Sequence, residues 1–357
     1  MGARRATGPC RENVRPDVLE VGIYYMIRSA ARYVLIAAAT ALSSLGQSAG
    51  AGTILAGGYV SPTQLQVAPG QIITIFAAGV GSTLTQPVFA GAGNLPTSLA
   101  GIGVTIRQGT DIPAPIQEVS PVTTCAGCGA ITAITIQIPY GLWTACSVSD
   151  VACPAIVVLT EFFVTENGVA GPLSPLNPLA DQVHILTVCD SVITGGAGYS
   201  AVGGLPCQAM VTHASGVLVS SASPATVGEE LVAWAVGLGA TNPAVPSGQP
   251  AAQPVPTVES FTLDFNFHPN ALPAKPLSSQ ATTGMTPPPI PLFTGLTAGY
   301  PGLYQINFIV PPFEYGTLPC ASGVAPPPGG LVATNLTVSV GGSASFDGAA
   351  ICVSLVE

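Results

Sequence analysis

The chain has 357 residues, 48% hydrophobic and only 7% charged, with 42 Gly and 35 Pro. That length holds two ordinary domains with buried cores, and the low charge with many β-branched residues argues against a disordered chain. So much Gly and Pro predicts short strands joined by turns rather than helices, because Pro removes a helix donor and Gly loses the most backbone freedom on ordering.

Positive charge is concentrated at the start. Arg4, Arg5, Arg11, Arg15, Arg28 and Arg32 come first, and only Arg107 and Lys275 follow them. Met26 to Ala51 has the parts of an export signal in order: Arg28 and Arg32, the apolar run Tyr33 to Leu42, then the small-x-small site Ala49-Gly50-Ala51. The apolar run is too short for a spanning helix, which takes roughly 20 residues. Residues 1–51 are therefore expected to be an upstream extension plus a signal peptide (26–51), with Met26 read as the start. The chain is expected to be secreted or held at the cell surface, without membrane insertion after cleavage. Losing this segment also removes Glu12, Asp17 and Glu20, leaving fourteen acidic side chains against two basic ones. Such a surface cannot neutralise a row of phosphates, so nucleic acid and anionic lipid are disfavoured as partners.

From Gly52 onward, strand-length apolar runs bounded by turn residues follow one another. Gln71–Ala78, Ile131–Ile138 and Ala155–Val164 are expected strands in a first domain, 52–190. A Gly-rich linker is expected over 191–204. Glu230–Val236, Leu303–Val310 and Asn335–Val340 are expected strands in a second domain, 205–357. The two series repeat. Gly70, Gly79 and Gly81 recur 158 positions later as Gly228, Gly237 and Gly239, and the strand-ending Pro139 recurs 172 positions later as Pro311. The predicted fold is all-β, two tandem immunoglobulin-like β-sandwich domains after the signal peptide. The Gly-x-Gly pairs read as tight turns rather than phosphate cradles, because Pro87 and Pro243 follow where a helix would have to open.

Eight cysteines remain after export: Cys125, Cys128, Cys146, Cys153, Cys189, Cys207, Cys320 and Cys352. An even number on an exported chain favours disulfides, and local pairing joins Cys189 to Cys207, Cys320 to Cys352 and Cys146 to Cys153. The remaining motif, Cys125-Ala-Gly-Cys128, is the spacing of a redox couple or half a zinc site. No helical pattern follows it and His184, His213 and His268 are remote in sequence, so a structural disulfide is the expectation and no cofactor is predicted.

The runs Ser223 to Pro243, Gly299 to Pro311 and Leu336 to Gly342, in that order, resemble an IPT/TIG-like immunoglobulin-fold family, the C-terminal domain of secreted acidobacterial proteins. The resemblance covers roughly 205–357. Residues 52–190 look like a diverged copy that lacks the Gly302-Leu-Tyr-Gln305 signature. What the resemblance implies is an exported β-sandwich, and it carries over no catalytic residue.

Candidate chemistry is sparse. No Gly-x-Ser-x-Gly elbow is present. Glu229 and Glu230 are adjacent, so on a strand they face opposite ways and cannot flank one glycosidic bond. Asp264, Asn266 and His268 alternate onto one strand face and offer mixed oxygen and nitrogen ligands for a divalent cation, or simply a polar outer face. His213 falls in an expected hairpin. The sequence thus points to a non-enzymatic interaction or structural module whose partner is an extracellular protein or glycan. The alternative is a hydrolase or metal-dependent enzyme with a domain-junction site near Asp181, His184 or His213.

Overall fold

The computed structural model describes residues 51–58, 65–122, 129–144, 159–190, 192, 207–269, 289–313, 316–320 and 334–355. Residues 26–50 of the expected export signal, Lys275, and Cys125, Cys128, Cys146 and Cys153 lie outside the described residues. Among the described residues, no helix is long and apolar enough to cross a membrane.

The fold is all-β. The strands around the first core are β1 (Thr53–Gly57), β2 (Leu65–Val67), β3 (Ile72–Ala78), β4 (Val88–Phe89), β5 (Ser98–Leu99), β6 (Ile102–Gln108), β7 (Thr110–Pro113), β8 (Ile116–Pro121), β9 (Ile131–Gln137), β10 (Thr160–Glu166), β11 (Val169–Ala170) and β12 (Ser174–Pro178). Around the second run β13 (His184–Ile185), β14 (Val211–His213), β15 (Glu230–Val236), β16 (Val255–Pro256), β17 (Thr262–Asn266), β18 (Phe293–Leu296), β19 (Tyr304–Ile309), β20 (Leu336–Gly341) and β21 (Phe346–Ile351). The expected strands are represented within one or two residues at their ends, except that β10 begins at Thr160 and residues 155–158 of the expected Ala155–Val164 lie outside the described residues.

One sheet, β1-β3-β9-β8-β4, and another, β2-β12-β10-β6-β5 with β7 and β11 at its sides, sandwich the first core. Among the described strands of these two sheets, only β2 and β12 pair in parallel. Because strand side chains alternate, Ile73 and Ile75 of β3, Val104 and Ile106 of β6, Ile134 and Ile136 of β9, and Phe162 and Val164 of β10 all turn inward. Each such side chain stabilises by about 1.5–3 kcal/mol relative to exposure. The second core lies between β13-β15-β19-β18-β16, with β14 also on β15, and the three strands β17-β20-β21. Tyr304, Ile306 and Phe308 of β19 fill its centre, and Phe308 meets Phe265 at a tilted 6.2 Å between ring centroids.

The internal repeat is visible in hydrogen-bond register. β3 and β15 occupy the same span once displaced by 158, and Ile72 faces Gln137 in the first copy as Glu230 faces Ile309 in the second. Gly70, Gly79, Gly81, Gly228, Gly237 and Gly239 all have positive φ, between 65° and 82°, which explains glycine at each repeated turn. The first strand differs between the copies. β1 pairs with β3 through a bulge between Ile54 and Ala56, whereas the equivalent positions along β15 are taken by two separate strands, β13 and β14. Cys189 and Cys207, at disulfide distance with Cα atoms 5.7 Å apart, lie between those two strands. Both flanks of the Gly-rich segment 191–204 therefore serve one sheet. The chain passes from one core to the other upstream of it, between Pro178, which pairs with Val67, and Val183, which packs in the second core. Cys320 and Cys352 form the other pair, again with Cα atoms 5.7 Å apart.

Residues Gly50–Glu357 form one compact unit. The outward faces of β3 and β15 share a small apolar cluster in which Ile72, Leu186 and Val236 are buried against Met210, Trp234 and Leu303. Backbone and side-chain bonds reinforce it. The Gln71 side chain donates to the Gln182 carbonyl at 3.3 Å, Leu95 N donates to the Gly248 carbonyl at 2.8 Å, and Gly248 N donates to the Gln137 side-chain carbonyl at 2.5 Å.

Candidate functional site

Two histidines meet carboxylates around the second core. His184, on β13, lies between Asp190 (Nε2 to Oδ2, 3.1 Å) and Asp347 of β21 (Nδ1 to Oδ2, 3.0 Å). Asp190 also accepts from Thr187 N at 2.5 Å and Asp347 from Ile185 N at 2.9 Å. Burial works against the charged ring, but the bonds to Asp190 and Asp347 outweigh it and raise the His184 pKa to about 9. Burial likewise opposes ionisation of Asp190, and the interactions with His184 and Thr187 together overcome it and hold the pKa low. The imidazolium therefore ties one sheet of the sandwich to the other, and with both nitrogens engaged it has no lone pair for a metal or a proton.

His213 is arranged differently. It ends β14, and the hairpin expected there forms, with His213 N donating to the Val217 carbonyl at 2.9 Å. Its Nδ1 lies 2.5 Å from Glu229 Oε1, and its Nε2 lies 3.2 Å from Ser223 Oγ and 3.2 Å from the Ser223 carbonyl. Glu229 is aimed by its second oxygen, which accepts from Thr226 N at 2.9 Å. The bond to Glu229 raises the His213 pKa. Burial pushes the Glu229 pKa upward, and the bonds with His213 and Thr226 together outweigh it and lower the pKa. Hydroxyl, imidazole and carboxylate thus stand in the order nucleophile, base and orienting acid. Little in the sequence signals this, since Ser223, His213 and Glu229 come together only through the turns after β14.

The other expected site residues have separate partners. Asp181 is fully buried and accepts from Ser343 Oγ, Ala344 N, Ser345 N and Ser345 Oγ at 2.7–2.8 Å, fastening the turn between β20 and β21. Asp181 and His184 both address the β20–β21 hairpin, whereas His213 addresses Ser223 and Glu229. Glu230 accepts from Asn307 at 2.9 Å while Glu229 holds His213, so the adjacent carboxylates have different tasks. On β17, Leu263 and Phe265 enter the core with Phe267 beyond them, while Asp264 is buried and His268 is exposed. Among the described residues no group of three or more His, Cys, Asp or Glu is placed to hold a metal ion.

On the first core, Trp143 is 67% exposed although its backbone is fixed at both ends. Trp143 N donates to Gln108 Oε1 at 2.7 Å, and Gln108 Nε2 donates to the Trp143 carbonyl at 2.8 Å and to Thr160 Oγ1 at 2.8 Å. Leu159, next to Thr160, is 68% exposed. Two hydrogen bonds to one glutamine, itself tied to Thr160, thus hold the Trp143 backbone while its indole is left exposed to water.

The fold and these sites define a class, a two-core all-β sandwich protein. No protein-family model matches the chain, and no curated protein is similar to it.

Proposed function

We propose that this is an exported, immunoglobulin-like binding protein that recognises neutral extracellular polysaccharide through Trp143. The observation that carries the reading is the exposed indole of Trp143, whose backbone Gln108 clamps. The C–H face of a sugar ring stacks on such a surface, and a fixed backbone lowers the entropy lost on binding. The acid-rich composition favours neutral glycans over acidic ones. The Met26–Ala51 pattern supports export, and the Ser223–Pro243, Gly299–Pro311 and Leu336–Gly342 runs support IPT/TIG-like membership. In this reading the junction between the cores serves to present Trp143 from a single body. Probing a glycan array with the exported chain tests it. Retention on neutral glucans, mannans or xylans is expected, and retention of protein partners alone would overturn the glycan reading.

A further inference from the structure

We propose that Ser223, His213 and Glu229 form an acyl-transfer site that hydrolyses short-chain esters. The proposal stands on geometry independent of Trp143. Ser223 Oγ is 3.2 Å from His213 Nε2, and His213 Nδ1 is 2.5 Å from Glu229 Oε1. A nucleophile and its base are thereby within reach, and the base is oriented by a carboxylate that Thr226 N and Thr226 Oγ1 hold at 2.9 and 3.3 Å.

The tautomer follows from the partners. With a proton on Nδ1, His213 donates to Glu229 and turns the Nε2 lone pair toward the Ser223 hydroxyl, which is the reactive form. With both nitrogens protonated, Nε2 donates to the Ser223 carbonyl at 3.2 Å instead and the hydroxyl has no base. Neutral His213 is therefore the active state, and Glu229 acts as a positioning residue.

The step closes without a metal or redox partner. Ser223 Oγ attacks the ester carbonyl carbon while its proton passes to His213 Nε2. The carbon–alkoxy bond then breaks, and His213 returns that proton to the departing alkoxide as alcohol. Water attacks the acyl-Ser223 in turn, gives one proton to His213, and releases the carboxylic acid as the proton returns to Oγ. Ester and water become acid and alcohol.

Access sets the substrate class. Ser223 is half-buried, between the exposed Ser221 and Ala222 before it and the buried Ala225 after it. The two turns that carry His213 and Glu229 also present Val217, 53% exposed, and Val227, 40% exposed. A surface site with apolar flanks suits a small acyl group such as acetyl on a larger neutral molecule, and the scarcity of cations disfavours anionic esters.

The test uses the exported chain with p-nitrophenyl acetate and a fluorophosphonate probe. Hydrolysis above buffer and phosphonylation of Ser223, located by peptide mass, are expected. Ser223→Ala should abolish labelling and lower kcat/KM by about 100-fold or more, and His213→Gln should do the same. Glu229→Gln should lower kcat by roughly 10-fold or more and move the acidic limb of the kcat pH profile to lower pH, a shift that a smaller folded fraction would not produce. Each variant is compared by its denaturation midpoint. The wild-type labelling experiment needs no variant to fold: absence of probe on Ser223 overturns the proposal, as does hydrolysis that survives Ser223→Ala.

Discussion

The hydroxyl groups of Tyr140 and Tyr304 meet at 3.2 Å, joining the end of β9 in the first core to β19 in the second. Tyr304 is fully buried and donates its own proton to the Gly239 carbonyl at 2.6 Å, so Tyr140 is the donor between the rings. Burial raises both phenols, Tyr140 to about 12, which keeps both protonated through the neutral range. The tyrosine of the Gly302-Leu-Tyr-Gln305 signature thus serves the junction as well as its own core. Tyr304→Phe leaves a buried carbonyl without its donor and should cost about 1–3 kcal/mol in urea unfolding. Tyr140→Phe should cost less, because it removes only the outer bond.

Gly302 belongs to the same junction. Its φ is +68°, and a Cβ there would stand 2.7 Å from the Gly70 carbonyl oxygen and 2.7 Å from Ile72 Cγ1. Gly302→Ala therefore meets backbone of the other core as well as left-handed strain. It should lower stability by about 1–3 kcal/mol, measured by thermal unfolding, whereas Gly299→Ala meets no atom within 4 Å and should show only the cost of its φ of +84°.

The His184 pin has a defined pH signature. Its folded pKa of about 9 exceeds the ordinary 6.5, so its stabilisation is fully present below about pH 6.5 and is lost as pH rises through 9. The span corresponds to about 3 kcal/mol at most. Denaturation midpoints measured from pH 6 to 10 should fall across that window, and His184→Gln should flatten the fall.

The Cys189–Cys207 pair closes a separation of 18 residues between two strands of one sheet. In the chain-entropy account such a loop is worth roughly 3 kcal/mol. The Cys189→Ser, Cys207→Ser double variant should lose about that much in urea unfolding, and a reductant should lower the wild-type midpoint toward the variant.

Much of the fold was legible because periodicity and punctuation agree. Glu230–Val236 alternates Leu231, Ala233 and Ala235 inward and is bounded by Gly228 and Gly237, so its limits could be read directly. The repeat was legible for the same reason, since positive φ demands glycine at the same turns twice. Short strands such as His184–Ile185 were not, because two residues carry no period and their pairing with β15 is set by tertiary contact. The Ser223–His213–Glu229 group was hidden for a related reason. Its members come from two turns, and only the closing of those turns puts a hydroxyl and a carboxylate on one imidazole.

The proposed polysaccharide binding rests on Trp143, whose indole is exposed and whose backbone Gln108 holds. Isothermal titration of the wild-type chain and Trp143→Ala with the neutral oligosaccharide selected on the array tests it most directly. Saturable binding by the wild type is expected, with a loss of about 10-fold or more in affinity for Trp143→Ala, corresponding to roughly 1.4 kcal/mol, and the unfolding midpoint unchanged. Equal affinity of the two proteins, or no binding by the wild type, would contradict it.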